Sequence, residues 1–286
     1  MSVYILSVPP DLQPARQVNN YPAHNEDYGV EQDFTDWLRF NAQFCTTDPA
    51  QARWHYLPVY WTRWLVNHDY GKANIPDLQK AASAAILDSA KTFTICQYDD
   101  GPCVDLGQSR LYLASRKTKT GVDIPLLSRP HRRPFGWYRK KHLASFIGRL
   151  DTHPLRQAMA DALKDQPDIL ITNFRGKSKP FVKRTLESCV VLAPRGYGGS
   201  SFRFFEAMEL GIAPFLVGDL DTRPFKDQID WDEISFFTDD PTQVLPLLKS
   251  KTKTDLVRMG RRAREVYRKR LQYGTWCELV HQDLIS

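Results

Sequence analysis

The stretch Cys189–Asp219, CVVLAPRGYGGSSFRFFEAMELGIAPFLVGD, constrains this chain more than any other. It reads as an apolar strand, a glycine-rich turn, a helix with Phe202, Phe205 and Met208 on its buried face, and a second apolar strand. Two buried strands joined by a helix form a parallel pair with a right-handed crossover. The turn holds Arg195, Gly196, Gly198 and Gly199, with Ser200 and Ser201 at the expected helix start. A helix N-terminus behind such a turn attracts anions, because unpaired N–H groups and the helix dipole both favour negative charge. The arginine adds a planar fork suited to phosphate oxygens. Glu206, farther along the helix, carries a carboxylate able to accept sugar hydroxyls. Together these parts imply a pocket for a nucleotide diphosphate carrying a sugar.

The rest of the chain repeats the alternation. Val3–Val8, Trp54–Tyr60 and Thr92–Tyr98 read as strands, with Tyr28–Phe44 and Pro76–Leu87 as helices between them and Arg110–Ala114 and Val122–Leu127 as short extended pieces. A Pro- and Arg-rich stretch, Ser128–Lys141, marks a junction. Beyond it Leu143–Ile147 and Ile169–Thr172 read as strands, Pro154–Leu163 and Phe181–Ser188 as helices, Ile234–Phe237 as a strand and Asp255–Leu271 as a long basic helix. Alternating strands and helices predict an α/β fold with parallel sheets. At 286 residues the chain has room for two domains, read as 1–138 and 139–286, with the last helix free to pack back on the first. Two such units in tandem would place a cleft between them.

Composition narrows the function classes. Hydrophobic residues make up 42 %, enough for a core. The net charge of +6 suits an anionic ligand, and part of it lies in RMGRRAREVYRKR at Arg258–Arg270, read as a solvated helix face. That basic helix is also the feature that would serve a nucleic-acid binder. The cysteines Cys45, Cys96, Cys103, Cys189 and Cys277 are odd in number and show no CxxC spacing, which fits free thiols rather than a zinc site or a disulfide framework. The apolar run at Val3–Val8 ends at Pro9-Pro10 and is too short for a membrane span, so the chain reads as soluble and, with its free thiols, cytoplasmic, unless a targeting segment was removed. No HExxH, GxSxG or Walker A pattern occurs.

The segment PRGYGGSSFRFFEAMELGIAPFLVGD resembles the donor-side motif of the exostosin family, glycosyltransferase family 47. Pro224, Phe225 and Trp231 resemble its PF…W segment, Phe146–Arg149 (FIGR) its turn, Val122–Pro125 (VDIP) its extended piece, and Asp48-Pro49 with Tyr56–Tyr60 and Tyr98–Pro102 (YDDGP) its acceptor-side motifs. The resemblance spans roughly residues 28–270 and is most specific in the C-terminal half. It implies a GT-B architecture, two Rossmann-like domains facing a central cleft, with the sugar nucleotide on the C-terminal domain and the acceptor on the N-terminal one. It implies inversion at the anomeric carbon, no cofactor and no required metal. Most cellular members carry a membrane anchor and stem not visible here; in compactness the chain is similar to stand-alone exostosin-like transferases of large algal viruses. UDP-xylose is the first choice of donor, then UDP-glucuronic acid and UDP-galactose. The expected partners are this UDP-sugar and an oligosaccharide or glycoprotein glycan, with no nucleic acid and no membrane span. The alternative class is a non-catalytic glycan- or nucleic-acid-binding protein on the same scaffold.

The resemblance places Arg195 on the diphosphate, against the alternative of a plain surface turn. Gly196, Gly198 and Gly199 would let the backbone approach phosphate. Ser200 and Ser201 would cap the helix and donate to phosphate, with Phe202 and Arg203 following on its first turn. Glu206 would accept the ribose hydroxyls, or else pair with Arg203 three residues earlier. Arg149 is the second phosphate candidate, or a simple salt bridge, and Asn173 would lie near the base or ribose. Inverting transfer needs a general base, for which Asp99 and Asp100 at the end of the third strand are the candidates, with His24, Asp27 and Asp69 as rivals. Asp219 and Asp221 look like the DxD metal motif of another transferase class but are read here as structural. His131 and His142 read as linker or cleft lining.

Overall fold

A computed structural model of the chain describes residues 2–16, 29–136, 138–174 and 181–286. It divides into two compact units, Met1–Arg129 with Gln272–Ser286, and Pro130–Leu271. Each is built on a five-stranded, wholly parallel sheet flanked by helices, which is the α/β construction of a GT-B-like fold.

In the first unit β1 (Val3–Ile5), β2 (Trp54–Tyr56), β3 (Thr92–Cys96), β4 (Arg110–Leu113) and β5 (Val122–Asp123) lie side by side in chain order. One sheet face packs on α2 (Trp61–Asn67) and α3 (Ile75–Ala85) through Leu57, Trp61, Leu65, Leu78 and Ala82. The other face is aromatic: Phe34 of α1 (Val30–Phe40) lies edge-on to Tyr56 and Phe93, and its ring is 5.9 Å from that of Trp276. The expected strand Trp54–Tyr60 stops at Tyr56, and α2 begins at Trp61. Glu31 explains how α2 starts here: its fully buried carboxylate accepts the Thr62 N–H and hydroxyl at the helix N-terminus, and the Gln97 N–H just past β3.

In the second unit the strands are β6 (His142–Gly148), β7 (Ile169–Asn173), β8 (Ser188–Pro194), β9 (Ala213–Val217) and β10 (Phe236–Thr238), in the spatial order β7-β6-β8-β9-β10. One face is covered by α4 (Pro154–Leu163), α7 (Val244–Lys249) and α8 (Lys253–Val266). The other is covered by α5 (Phe181–Leu186) and α6 (Phe202–Leu210). The expected basic helix exists as α8, continued by a π-helical turn over Tyr267–Leu271, but it is not simply a solvated face. Leu256, Met259, Gly260, Ala263, Tyr267 and Leu271 are buried, while on its outer side Arg258 pairs with Asp255 and Arg262 with Glu233. A capping box of Thr252 and Asp255 starts this helix.

The C-terminal helix α9 (Cys277–Ile285) belongs to the first unit. Trp54 Nε1 donates to the Leu284 carbonyl at 3.0 Å, and Asp283 accepts Tyr112 at 2.6 Å and Arg110 at 2.7 Å. Asp33 of α1 accepts the Gly274 N–H and Trp276 Nε1. Among the described residues no helix is long and apolar enough to cross a membrane. All five cysteines are free thiols.

Candidate functional site

The strand order of the second sheet singles out one place. From β6 the chain steps to one side to form β7, then crosses back to form β8 on the other side of β6. In open parallel sheets the crevice at such a reversal, outside the strand carboxyl ends, is where ligands bind. Arg149 follows β6 directly, and Arg195 follows β8 directly. Asn173 is the last residue of the neighbouring β7. The fold thus gathers Arg149, Asn173, Arg195, the Gly196–Ser201 turn and Phe202 at one edge of one sheet.

The turn is held from within. The Arg195 N–H donates to Val217 O at 2.9 Å, extending the β8–β9 pairing by one residue. Its side chain is buried, pairs with Asp219, and donates from Nε to Gly198 O at 3.1 Å. The Gly196 N–H donates to Ser200 O at 3.2 Å, and Thr222 Oγ1 to Gly199 O at 3.3 Å. Ser200 and Ser201 are both buried. Ser201 is the N-cap of α6, but the expected capping bond from its side chain is not formed. The reason is local: the α6 entry is closed by the backbone instead, with Phe204 N–H donating to Ser201 O at 3.0 Å.

Arg149 is exposed and pairs with Asp151 at 3.0 Å, the salt bridge weighed as its alternative role. Asn173 Oδ1 accepts the Leu150 N–H at 3.3 Å, tying β7 to the loop that carries Arg149. Arg203 points the other way. Its Nε donates to Ile147 O at 3.0 Å, its guanidinium lies 4.3 Å from the Phe181 ring centre, and it pairs with Glu206.

Glu206 is buried and engaged on both oxygens, by Arg203 and by His131 Nε2 at 2.8 Å. Burial pushes its carboxyl up, but the Arg203 charge and the His131 contact outweigh this and hold it at about 2. For His131 burial pushes down, and the Glu206 hydrogen bond and charge, aided by Glu209, carry the imidazole above its ordinary value. The Arg203–Glu206 ion pair weighed against ribose binding is therefore present, and His131 is a third member.

Asp219 and Asp221 are likewise occupied, the first by Arg195 and the second by Arg223 at 2.9 Å and Lys226 at 3.1 Å. Among the described residues no group of three or more His, Cys, Asp or Glu side chains is placed to hold a metal ion. Asp99 and Asp100 stand in the turn after β3 in the first unit, where Asp100 pairs with Lys117. Asp69 has left-handed backbone in a short helical turn after α2. His24 and Asp27 lie outside the described residues.

One residue at this edge escaped the sequence reading. Arg156 of α4 donates from Nε to Arg195 O at 2.7 Å, from Nη2 to Pro194 O at 3.2 Å and from Nη1 to Arg149 O at 2.9 Å. The signal was its place on a helical stripe with Met159, Ala160 and Leu163, all buried.

No established family profile matches the chain. A protein of Oryza sativa subsp. japonica named "Probable glucuronosyltransferase" is 26 % identical over 247 aligned residues, covering 68 % of this chain and 55 % of that protein. The chain thus spans just over half the length of this curated relative. Among solved structures it is similar to TarM, with a TM-score of 0.39 and 11 % identity over 73 % of this chain and 57 % of the other. It is similar to the spinosyn forosaminyltransferase SpnP, with a TM-score of 0.39 and 10 % identity over 100 % and 99 % of the two chains. AviGT4, a glycosyltransferase involved in avilamycin A biosynthesis, gives a TM-score of 0.39 and 12 % identity over 99 % and 98 %. Likeness at this level bears on neither substrate nor mechanism, and the exostosin resemblance rests on the motifs quoted above.

Proposed function

We propose that the chain is a glycosyltransferase that moves a sugar from a UDP-sugar to a hydroxyl of a glycan, with inversion at the anomeric carbon. The observation that carries this reading is the switch point of the second sheet, where Arg149 follows β6, Arg195 follows β8, and a glycine turn leads into α6. An arginine pair and a helix N-terminus at that place suit a diphosphate. In the reaction the acceptor oxygen bonds to the anomeric carbon as the bond to the diphosphate oxygen breaks. The acceptor proton passes to a carboxylate, for which Asp99 or Asp100 is proposed. Arg195 and the N–H groups of the turn stabilise the charge that builds on the leaving UDP. No metal is assigned a role, because the carboxylates of Asp219 and Asp221 are already taken by arginine and lysine. UDP-xylose is the first donor proposed; UDP-glucuronic acid gains support from the name of the rice relative, and UDP-galactose follows.

The test is a thermal-shift panel of nucleotide sugars, followed by mass analysis of the product formed from the best hit. A UDP-sugar should raise the unfolding temperature, transfer should survive excess EDTA, and Arg195→Ala should remove both the shift and transfer while the circular dichroism stays native. No shift with any nucleotide sugar, or a strict need for manganese, would sink the reading.

A further inference from the structure

We propose that Arg156 is the positioning residue of the anion site at the β6–β8 switch point, fixing both strand ends with its guanidinium and leaving a charge for a bound diphosphate to balance. The proposal deepens the reading above and rests on the anion site in it. The last carbonyls of a parallel strand have no further sheet partner, and buried carbonyls need donors. Arg156 supplies them to Arg149, Pro194 and Arg195 at once, and Nη1 also reaches Thr152 Oγ1 at 3.4 Å. Because a guanidinium is a rigid fork with five N–H groups, it sets the spacing between the two strand ends that carry the phosphate candidates.

The second half of the argument is charge. Among the described residues Arg149 and Arg195 at this edge, and the nearby Arg203, each have a carboxylate: Asp151, Asp219 and Glu206 in turn. Arg156 pairs with no carboxylate among the described residues; its partners are the carbonyls, one hydroxyl and the Phe146 ring, whose centre lies 5.6 Å from the guanidinium carbon. Burial, then repulsion from Arg203 and Arg149, brings its pKa down to about 10, with Tyr197 and Asp151 opposing. It is therefore charged at neutral pH and partly desolvated, held by carbonyl dipoles and a ring face, with the Asp151 charge acting only from a distance. A cation held in this way is a cost to the folded unit unless an anion joins it. A Cβ built on Gly196 would stand 3.4 Å from Arg156 Nη2, so the charge lies against the first glycine of the turn. A doubly charged diphosphate on the turn would meet this charge at short range and strengthen both partners.

The experiment titrates the full chain with inorganic pyrophosphate and with UDP by calorimetry at several salt concentrations, for wild type, R156Q and R156K. Thermal unfolding and circular dichroism monitor the fold. For R156Q the expected result is a loss of roughly tenfold or more in pyrophosphate affinity, as for a charge-assisted contact, with a shallower salt dependence. R156K keeps the charge but cannot span three carbonyls, so it should keep the wild-type salt slope and bind several-fold more weakly. Wild-type affinity in R156K and R156Q overturns the proposal and leaves the transferase reading standing. A loss in R156Q with an unchanged salt slope marks a merely structural arginine and also overturns it. Should R156Q fail to fold, R156K decides: wild-type affinity overturns the proposal, and weaker binding on the wild-type slope supports it. Pyrophosphate binding that depends on Arg156, without binding of any nucleotide sugar, would uphold the inference while the transferase reading fails. No pyrophosphate binding by wild type overturns the inference.

Discussion

Two buried carboxylates illustrate how placement alone decides what the same functional group does. Glu206 lies between two cations and is held at about 2. Glu31 receives only N–H and hydroxyl donors and a more distant Arg63 charge, and burial wins, raising it to about 7. The linkage signs are opposite. Glu206 contributes stability that is complete above about 4.5 and lost as pH falls towards about 2. Its partner His131, raised above 6.5, contributes stability that is complete below 6.5 and lost as pH rises through the folded value. Glu31 holds its proton longer folded than unfolded, so the first unit loses stability as pH climbs from 4.5 through about 7. That loss is on the order of 3 kcal/mol at about 1.4 kcal/mol per unit. Denaturant titrations from pH 3 to 9 are expected to show all three limbs. His131→Gln should flatten the loss above pH 6.5, and Glu31→Gln the loss between 4.5 and 7; a Glu31→Gln chain with an unchanged slope would refute the assignment. Neither network was legible locally. The Arg203–Glu206 pair is visible in the sequence at three residues' spacing, but His131 comes from far outside the helix. Glu31 shares a helical stripe with Phe34 and Leu38, which is the one hint that its side chain points inward.

Elements were legible where turn residues or a proline mark their ends. Cys189–Asp219 reads directly as β8, α6 and β9, because glycines and serines punctuate two apolar runs. Pro154–Leu163 is likewise plain, with a proline at its first position and an apolar stripe of Met159, Ala160 and Leu163. The helix α2 was not legible: Trp61, Thr62, Arg63, Trp64 and Leu65 are all buried, so no periodicity survives, and the run merges with β2 before it. The basic helix α8 misled in the other direction, since its many arginines hide the small residue that matters for packing. At Gly260 a Cβ would stand 2.6 Å from Gly211 O, 2.8 Å from Ala213 N and 2.9 Å from Ile212 Cα, all of them backbone atoms. Gly211 itself has φ +79° as the C-cap of α6, so that backbone has little freedom to retreat. Gly260→Ala gains about 1 kcal/mol of helix propensity and meets an overpacking cost that is larger, because the obstacle is main chain. A net destabilisation of about 1–3 kcal/mol is expected, read as a lower denaturation midpoint. An equal or higher midpoint would show that α8 does not seat closely on the 211–213 segment.

At the scale of the molecule, the first unit is closed by chain that follows the second unit. Trp276, Cys277, Leu279, Val280 and Leu284 are buried against it, and each large apolar side chain is worth roughly 1.5–3 kcal/mol. Their sum is comparable with the whole stability of a domain, about 5–15 kcal/mol. A chain ended at Leu271 is therefore expected to keep the second unit folded and to lose the first. Hydrogen exchange would read this as unprotected amides in β3 beside protected amides in β8; protection in both would show that the C-terminal segment is dispensable.

The same connectivity has a consequence for synthesis. The polypeptide leaves the first unit at Arg129 and returns to it at Gln272, so the second unit is in effect an insertion within the first. A ribosome completes Pro130–Leu271 before it has made the helix that covers the aromatic face of the first sheet. Of these two units, the one whose strands are translated earlier is thus the one that matures later. Its exposed Trp54, Tyr56, Phe93 and Tyr112 face is the surface a nascent-chain chaperone would have to shield until α9 emerges.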